Sequence, residues 1–154
     1  MMGLAPLEIR RDDALGVDAL GLIAESEAEQ AAIYPPEVRH AFSPEALRGA
    51  GTIFLVGYRA GQAVACGGVA PLLGYGELKR IFTTVPAWGT GAAREILAAL
   101  EDVARAEGLP LMRLETGKDS PEALRLYHRA GYIPCPAFGA YRENGSSIFM
   151  EKAL

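Results

Sequence analysis

VPAWGTGAAREIL, residues 85–97, joins two unlike patterns. A run of β-formers, IFTTV (81–85), leads in, and a helical pattern leads out. Between them Gly89 and Gly91 stand one residue apart, with Ala92 and Ala93 just after. A strand that enters a helix through so bare a loop presents backbone N–H groups at the helix start. Those donors have no intrahelical partner and sit at the positive end of the helix dipole. They form a ready site for phosphate. The same glycines also suit a tight turn that needs their dihedrals and binds nothing. Arg94, one turn in, would add positive charge.

Working outward, the chain reads as one domain spanning residues 1–154. Its length allows about 70% of the unfolded surface to be buried. Charged residues make up 22% and the net charge is −4, without a Lys/Arg block, so neither nucleic acid nor an anionic membrane is the expected partner. No segment approaches the ~20 apolar residues of a membrane span. The opening MMGLAPLEIRRDD has no basic region followed by an apolar core, so a cytoplasmic location is expected. Cys66 and Cys135 are far apart, which suits free thiols in a reducing compartment. His40 and His128 form no ligand cluster, and no metal is expected.

The punctuation predicts a strand at 7–11, then a helix capped by Asp12 or Asp13 and running to about Ile33, where YPPE breaks it. SPEALRG (43–49) predicts a short helix with Ser43 as cap and Gly49 as stop. TIFLVGYR and AVACGGVA flank AGQ as a hairpin, PLLGYG makes the next turn, and a strand follows at 77–85. A helix from about Gly91 to Glu107 carries Ala93, Ile96, Leu97, Leu100, Val103 and Ala104 on one stripe. PLMRLET reads as a strand, SPEALRLYHRAGY (120–132) as a helix capped by Ser120 and stopped at Gly131, and SSIFMEKAL as a last strand. The order predicts a mixed sheet, antiparallel at first, with one βαβ crossover around the bare loop.

Two phosphate motifs fit poorly. A Walker A loop needs Gly-Lys-Ser/Thr after the turn, and neither Lys nor Ser follows Gly91. The dinucleotide fingerprint needs a small residue where Arg94 stands, although Glu115 ends the next strand as that fingerprint prefers.

The segment ELKRIFTTVPAWGTGAAREILAALEDVARAEGLPLMRLETGKDSPEALRLYHRAGY resembles the core of the GNAT superfamily of acyl-CoA-dependent N-acetyltransferases. Trp88-Gly89-Thr90-Gly91-Ala92-Ala93 occupies the family's Arg/Gln-x-x-Gly-x-Gly/Ala loop. Ala123, Tyr127 and Gly131-Tyr132 resemble its A-x-x-x-Y-x-x-x-G-F/Y ending. With the tail, the likeness covers nearly the whole chain. It implies an α/β (α+β) fold with a mixed, mostly antiparallel sheet of six to seven strands flanked by about four helices. Two departures stand out: Trp88 where Arg or Gln is usual, which implies weaker CoA binding, and Ser120 where many relatives carry Asn.

The resemblance implies acetyl-CoA as co-substrate and direct attack by a small-molecule amine in a ternary complex. The amine is mostly ammonium at neutral pH and needs a proton acceptor. The resemblance points to Glu77 for that role; pairing of Glu77 with Lys79 or Arg59 is the alternative. Glu115 is the second candidate. Tyr127 is the implied acid for the leaving thiolate, against a purely structural role in the core. Ile81, Phe82 and Thr83 would line the pantetheine arm, with Ile81 and Thr83 pairing to it by backbone. Trp88, Gly89, Thr90, Gly91, Ala92, Ala93 and Arg94 would hold the pyrophosphate, Ser120 would contact the cofactor or a catalytic water, and Arg125 or Arg129 an outer phosphate. Tyr34, His40, Glu115 and Tyr141 would border the acceptor, and Lys79 or Arg80 would suit an acceptor carboxylate. Relatives often pair, so a homodimer is possible. A CoA-binding domain that senses without turnover is the competing class, and a dinucleotide-binding module a third.

Overall fold

The computed structural model describes residues 4–38 and 43–154. The elements are β1 (Glu8–Asp12), α1 (Val17–Ile33), α2 (Pro44–Gly49), β2 (Ile53–Arg59), β3 (Gln62–Leu72), β4 (Tyr75–Thr83), α3 (Ala92–Ala106), β5 (Leu111–Gly117), α4 (Pro121–Arg129), β6 (Ile133–Pro134) and β7 (Ser147–Ala153), with single 3-10 turns at Pro36–Val38 and Val85–Ala87. They form one seven-stranded sheet in the order β1-β2-β3-β4-β5-β7-β6. Every neighbouring pair is antiparallel except β4 and β5. That parallel pair brackets α3, as the expected crossover requires.

Local chemistry explains most boundaries. Arg59 pairs with Gln62 across a two-residue turn in which Ala60 and Gly61 both have positive φ, which matches the twist of the flanking strands. The Ser43 hydroxyl accepts the Ala46 N–H at 3.1 Å and caps α2 as expected. Several boundaries differ: β4 spans Tyr75–Thr83 rather than 77–85, with Val85 in the 3-10 turn that follows, and Gln62 already pairs within β3. Asp12 and Asp13 do not cap α1: their carboxylates accept the N–H groups of Asp13 and Leu15, building a turn ahead of the helix, and the cap position is Gly16. The PLLGYG turn shrinks to Leu73 and Gly74, because Leu72 still pairs with Tyr75. The glycine that turns the chain after α2 is Gly51, at φ +69°, rather than Gly49.

Two apolar layers sandwich the sheet. Ile96, Leu97, Leu100 and Ala104 of α3 pack on Ile53, Leu55, Val69, Leu78, Met112 and Leu114. Ala19, Leu22 and Ile23 of α1 pack on the opposite face, against Phe54, Val56, Cys66 and Phe82. The stripe read on α3 omitted Glu101, which is buried yet satisfied by the Tyr132 hydroxyl at 2.8 Å and the Lys152 ammonium at 3.0 Å. This network ties α3 to the end of α4 and to β7.

The feature that makes the site is a fork in the sheet. β4 and β5 pair only at Gly76–Met112 and Glu77–Arg113. Beyond that, β4 stays on β3 and β5 turns to β7. A bulge drives the divergence: three steps along β4 (79 to 82) face two along β3 (66 to 68), and Arg80 takes φ +57°. A bulge bends and twists its strand, here away from the parallel neighbour.

Candidate active site

The fork opens a cleft of about 440 Å³. Leu78, Lys79, Arg80 and Ile81 form one wall, and Leu114–Gly117 the other. Ser26, Glu27, Gln30 and Tyr34 of α1 and its C-terminal cap roof it, and Ser120, Ala123 and Tyr127 close the α4 side.

In the glycine loop, Gly89 and Gly91 have φ of +73° and +84°, and a Cβ on either would meet nothing within 4 Å. Both statements matter together: the backbone demands glycine, and the space in front of it is open. The first bond of the α3 ladder is Glu95 N–H to the Gly91 carbonyl, so the N–H groups of Ala92, Ala93 and Arg94 precede it and have no helical acceptor. A diphosphate therefore fits the donors on offer. The Thr90 side chain faces away from that role. Its hydroxyl donates to the Ala87 carbonyl at 2.5 Å and accepts from Arg59 at 2.5 Å. Ala92, the first residue of α3, is buried and can take part only through its backbone, while Arg94 is exposed. Trp88 is 55% exposed, and its indole N–H donates to the Thr83 carbonyl at 3.2 Å. That carbonyl, expected to pair with a pantetheine arm, already has one donor. Ile81 lines the cleft; the Phe82 ring packs in the α1 layer instead, so only its backbone can face a ligand.

Tyr127 lines the cleft and is 7% exposed, with its ring edge-to-face on Tyr132 at 5.8 Å. Its hydroxyl makes no hydrogen bond among the described residues. Burial, reinforced by the charge on Glu115, pushes its pKa well above the ordinary phenol value, so it stays protonated.

Glu77 is not at a strand edge. It is 5% exposed on an interior strand, and its Oε2 accepts from Lys79 at 2.6 Å and from the Tyr141 hydroxyl at 2.6 Å. The expected pairing with Lys79 is present, and Arg59 goes to Thr90 instead. Tyr141 also accepts from Lys79 at 3.1 Å, and its ring packs on Phe138 and Phe149. Burial and the Glu77 carboxylate raise the Tyr141 pKa strongly, so it too remains a donor. Glu115, across the fork, accepts from Ser147 at 2.6 Å. Lys79 and Arg80 both have carboxylate partners within the chain: Arg80 reaches Glu27 of α1 at 2.6 Å.

Tyr34 and Ser120, read separately as acceptor wall and cofactor contact, bond to each other at 3.1 Å. The Ser120 side chain does not cap α4. His40 lies outside the described residues. Arg125 and Arg129 line a different groove, with Leu124, His128, Pro134, Ile148 and Met150, and neither borders the cleft. Residues that sequence reasoning missed are Ser147, Gly117 and Glu27; no local pattern marks them, because their partners are distant in the chain. Among the described residues, no three His, Cys, Asp or Glu side chains gather as a metal would need, and no helix is long and apolar enough to cross a membrane.

The family model of the acetyltransferase (GNAT) family matches residues 20–132. The chain is 36% identical over 148 residues to the IAA acetyltransferase of Azospirillum brasilense, covering 95% of this chain and 97% of that one. A Klebsiella pneumoniae crystal structure, provisionally described as an acyl-CoA N-acyltransferase, superposes with a TM-score of 0.82 at 31% identity, over 96% of this chain and 97% of that one. The PaiA N-acetyltransferase of Thermoplasma acidophilum, solved with coenzyme A, shares the fold at a TM-score of 0.74 and 18% identity, over 97% and 99% of the two chains.

Proposed function

Because the chain belongs to the acetyltransferase (GNAT) family, and is thus an acyltransferase that uses acetyl-CoA, we propose that it acetylates the amine of a small molecule by direct attack, with both substrates bound. One observation carries this reading: a single cleft, opened by the fork, reaches from the phenol of Tyr127 to the carboxylates of Glu77 and Glu115.

In this reading the backbone N–H groups from Gly91 to Arg94 hold the diphosphate, and the free edge of β4 around Ile81 pairs with the pantetheine arm as an added strand would. Past Glu77, β4 no longer pairs with β5 and the bulge at Arg80 lies on the cleft wall, so a backbone N–H there would serve where negative charge develops on the thioester oxygen. Tyr127, kept protonated by burial, donates to the departing thiolate.

Glu77 takes the proton of the attacking ammonium through water. Lys79 and Tyr141 both hold its Oε2, and Oε1 makes no hydrogen bond among the described residues, so Oε1 is the oxygen that receives it. Glu115, steadied by Ser147, is the second candidate for the same task. Tyr34 and Tyr141 border the acceptor.

The test is release of CoA thiol with a panel of primary amines, on wild type and Tyr127→Phe. Amine-dependent release that the substitution lowers supports the reading. Binding of acetyl-CoA without release by any amine would favour a sensing role instead.

A further inference from the structure

Helix α1 touches both arms of the fork. On the β4 arm, Glu27 holds the Arg80 guanidinium at 2.6 Å. Seven residues later, on the same face and about 10.5 Å along the axis, Tyr34 reaches the β5 arm. Its hydroxyl accepts the Asp119 N–H at 3.0 Å and shares a hydrogen bond with Ser120 at 3.1 Å. Tyr34 is only 7% exposed although the helix residues just before it are exposed.

Its receptor is Gly117. A Cβ there would lie 1.9 Å from the Tyr34 hydroxyl oxygen and 2.2 Å from the ring carbon that carries it. Gly117 does not have a positive φ, so its backbone does not ask for glycine. The requirement is room for the tyrosine. Four residues, Tyr34, Gly117, Asp119 and Ser120, thus form one joint between the roof of the cleft and the turn that starts α4, the helix bearing Tyr127.

We propose that Tyr34 is a positioning residue that clasps the fork at a fixed width and thereby limits the size of the acceptor amine. The size limit rests on the acetyl-transfer reading; the clasp itself does not. With the joint closed, α1 cannot lift from the β5 arm, and the acceptor must fit the space between Tyr34, Gln30 and Tyr141. Opening the joint widens that space and leaves the glycine loop alone.

Three measurements test this. Hydrogen exchange in Tyr34→Phe, which loses only the hydroxyl, should quicken at least tenfold in the segment spanning residues 117–124 and remain unchanged in α3. Gly117→Ala should lower the thermal midpoint by several degrees alone and far less when combined with Tyr34→Ala. The kcat/KM ratio of benzylamine to ethylamine should rise at least fivefold in Tyr34→Ala, while acetyl-CoA affinity by calorimetry stays within twofold. Unchanged exchange, equal harm from Gly117→Ala in both backgrounds, or an unchanged amine ratio would each overturn the proposal. If the wild type acetylates neither amine nor any other on the panel, the acetyl-transfer reading is what fails. Exchange and the stability pair then decide the clasp by themselves.

Discussion

Arg59, the last residue of β2, donates to the Thr90 hydroxyl at 2.5 Å, so a distant strand holds the glycine loop from behind. The same guanidinium also reaches the Thr90 carbonyl at 3.3 Å and Glu95 at 3.5 Å, and is only 13% exposed. A loop containing two glycines loses much chain entropy when it orders around a ligand. Arg59 meets that cost before binding. Arg59→Met should therefore weaken acetyl-CoA binding about tenfold, in line with the ~1.5–3 kcal/mol of a charged hydrogen bond. Calorimetry reads this directly; unchanged affinity would mean that the loop orders without its brace.

Glu77 and Lys79 are both almost fully buried. Removing one partner strands the other charge. Lys79→Met should cost about 3–5 kcal/mol in urea unfolding. Adding Glu77→Gln should recover more than half of that, because the buried charge is gone. Costs that simply add would show that the pair does not act as a unit. The same Glu77→Gln protein tests the base: kcat should fall by about 10²-fold. If Glu115→Gln has that effect instead, the second candidate holds the role.

Tyr127→Phe removes a hydroxyl that has no hydrogen bond among the described residues, so stability should move by less than about 1 kcal/mol. A donor to the thiolate is worth about 10²–10⁴ in rate. The substitution should lower kcat by that order and leave acetyl-CoA affinity within twofold. Wild-type activity should show no alkaline loss from this phenol around pH 10, since burial holds its proton. An unchanged kcat would return Tyr127 to a packing role.

Cys66 is fully buried, and burial pushes its thiol up to about 12 from 9.0. Tyr58, whose hydroxyl donates to Asp18 at 2.7 Å, is raised to about 12, with that hydrogen bond as the main cause. These groups keep their protons in the folded chain when the unfolded chain has lost them. The unfolded state then binds fewer protons, and stability falls as pH rises above about 9. Each buried group contributes a slope of about 1.4 kcal/mol per pH unit within its window. The thermal midpoint should hold between pH 7 and 8.5 and drop steeply from pH 9 to 12. Native protein should expose one reactive thiol, Cys135, with Cys66 reacting only on unfolding. A midpoint that is flat to pH 11 would contradict the burial of these groups.

Much of this architecture was written in local signals. Turn residues at Ala60-Gly61, the Ser43 cap and the α3 stripe each act within a few residues, so they can be read along the chain. What escaped is long-range. β6 is two residues long and exists because β7 offers it an edge. The bulge at Arg80 falls on a residue that rarely takes positive φ, and only the packing of β3 on β4 reveals it. Tyr127 was placed at the cleft by resemblance, whereas the glycine loop, legible from its spacing, is not among the residues that line the cleft. The choice of partners was not legible: Tyr34 with Ser120 and Arg59 with Thr90 join residues far apart in sequence, and no periodicity encodes such pairs.

Titration of folded wild-type protein with acetyl-CoA, watched by calorimetry, tests the central claim most directly. Saturable binding at one site per chain is expected, with Kd in the range of about 1 μM to 1 mM that enzymes show for their substrates, and Gly91→Val should weaken it at least tenfold. No heat from folded protein, or equal affinity in Gly91→Val, would contradict the claim that the glycine loop at the start of α3 holds the diphosphate.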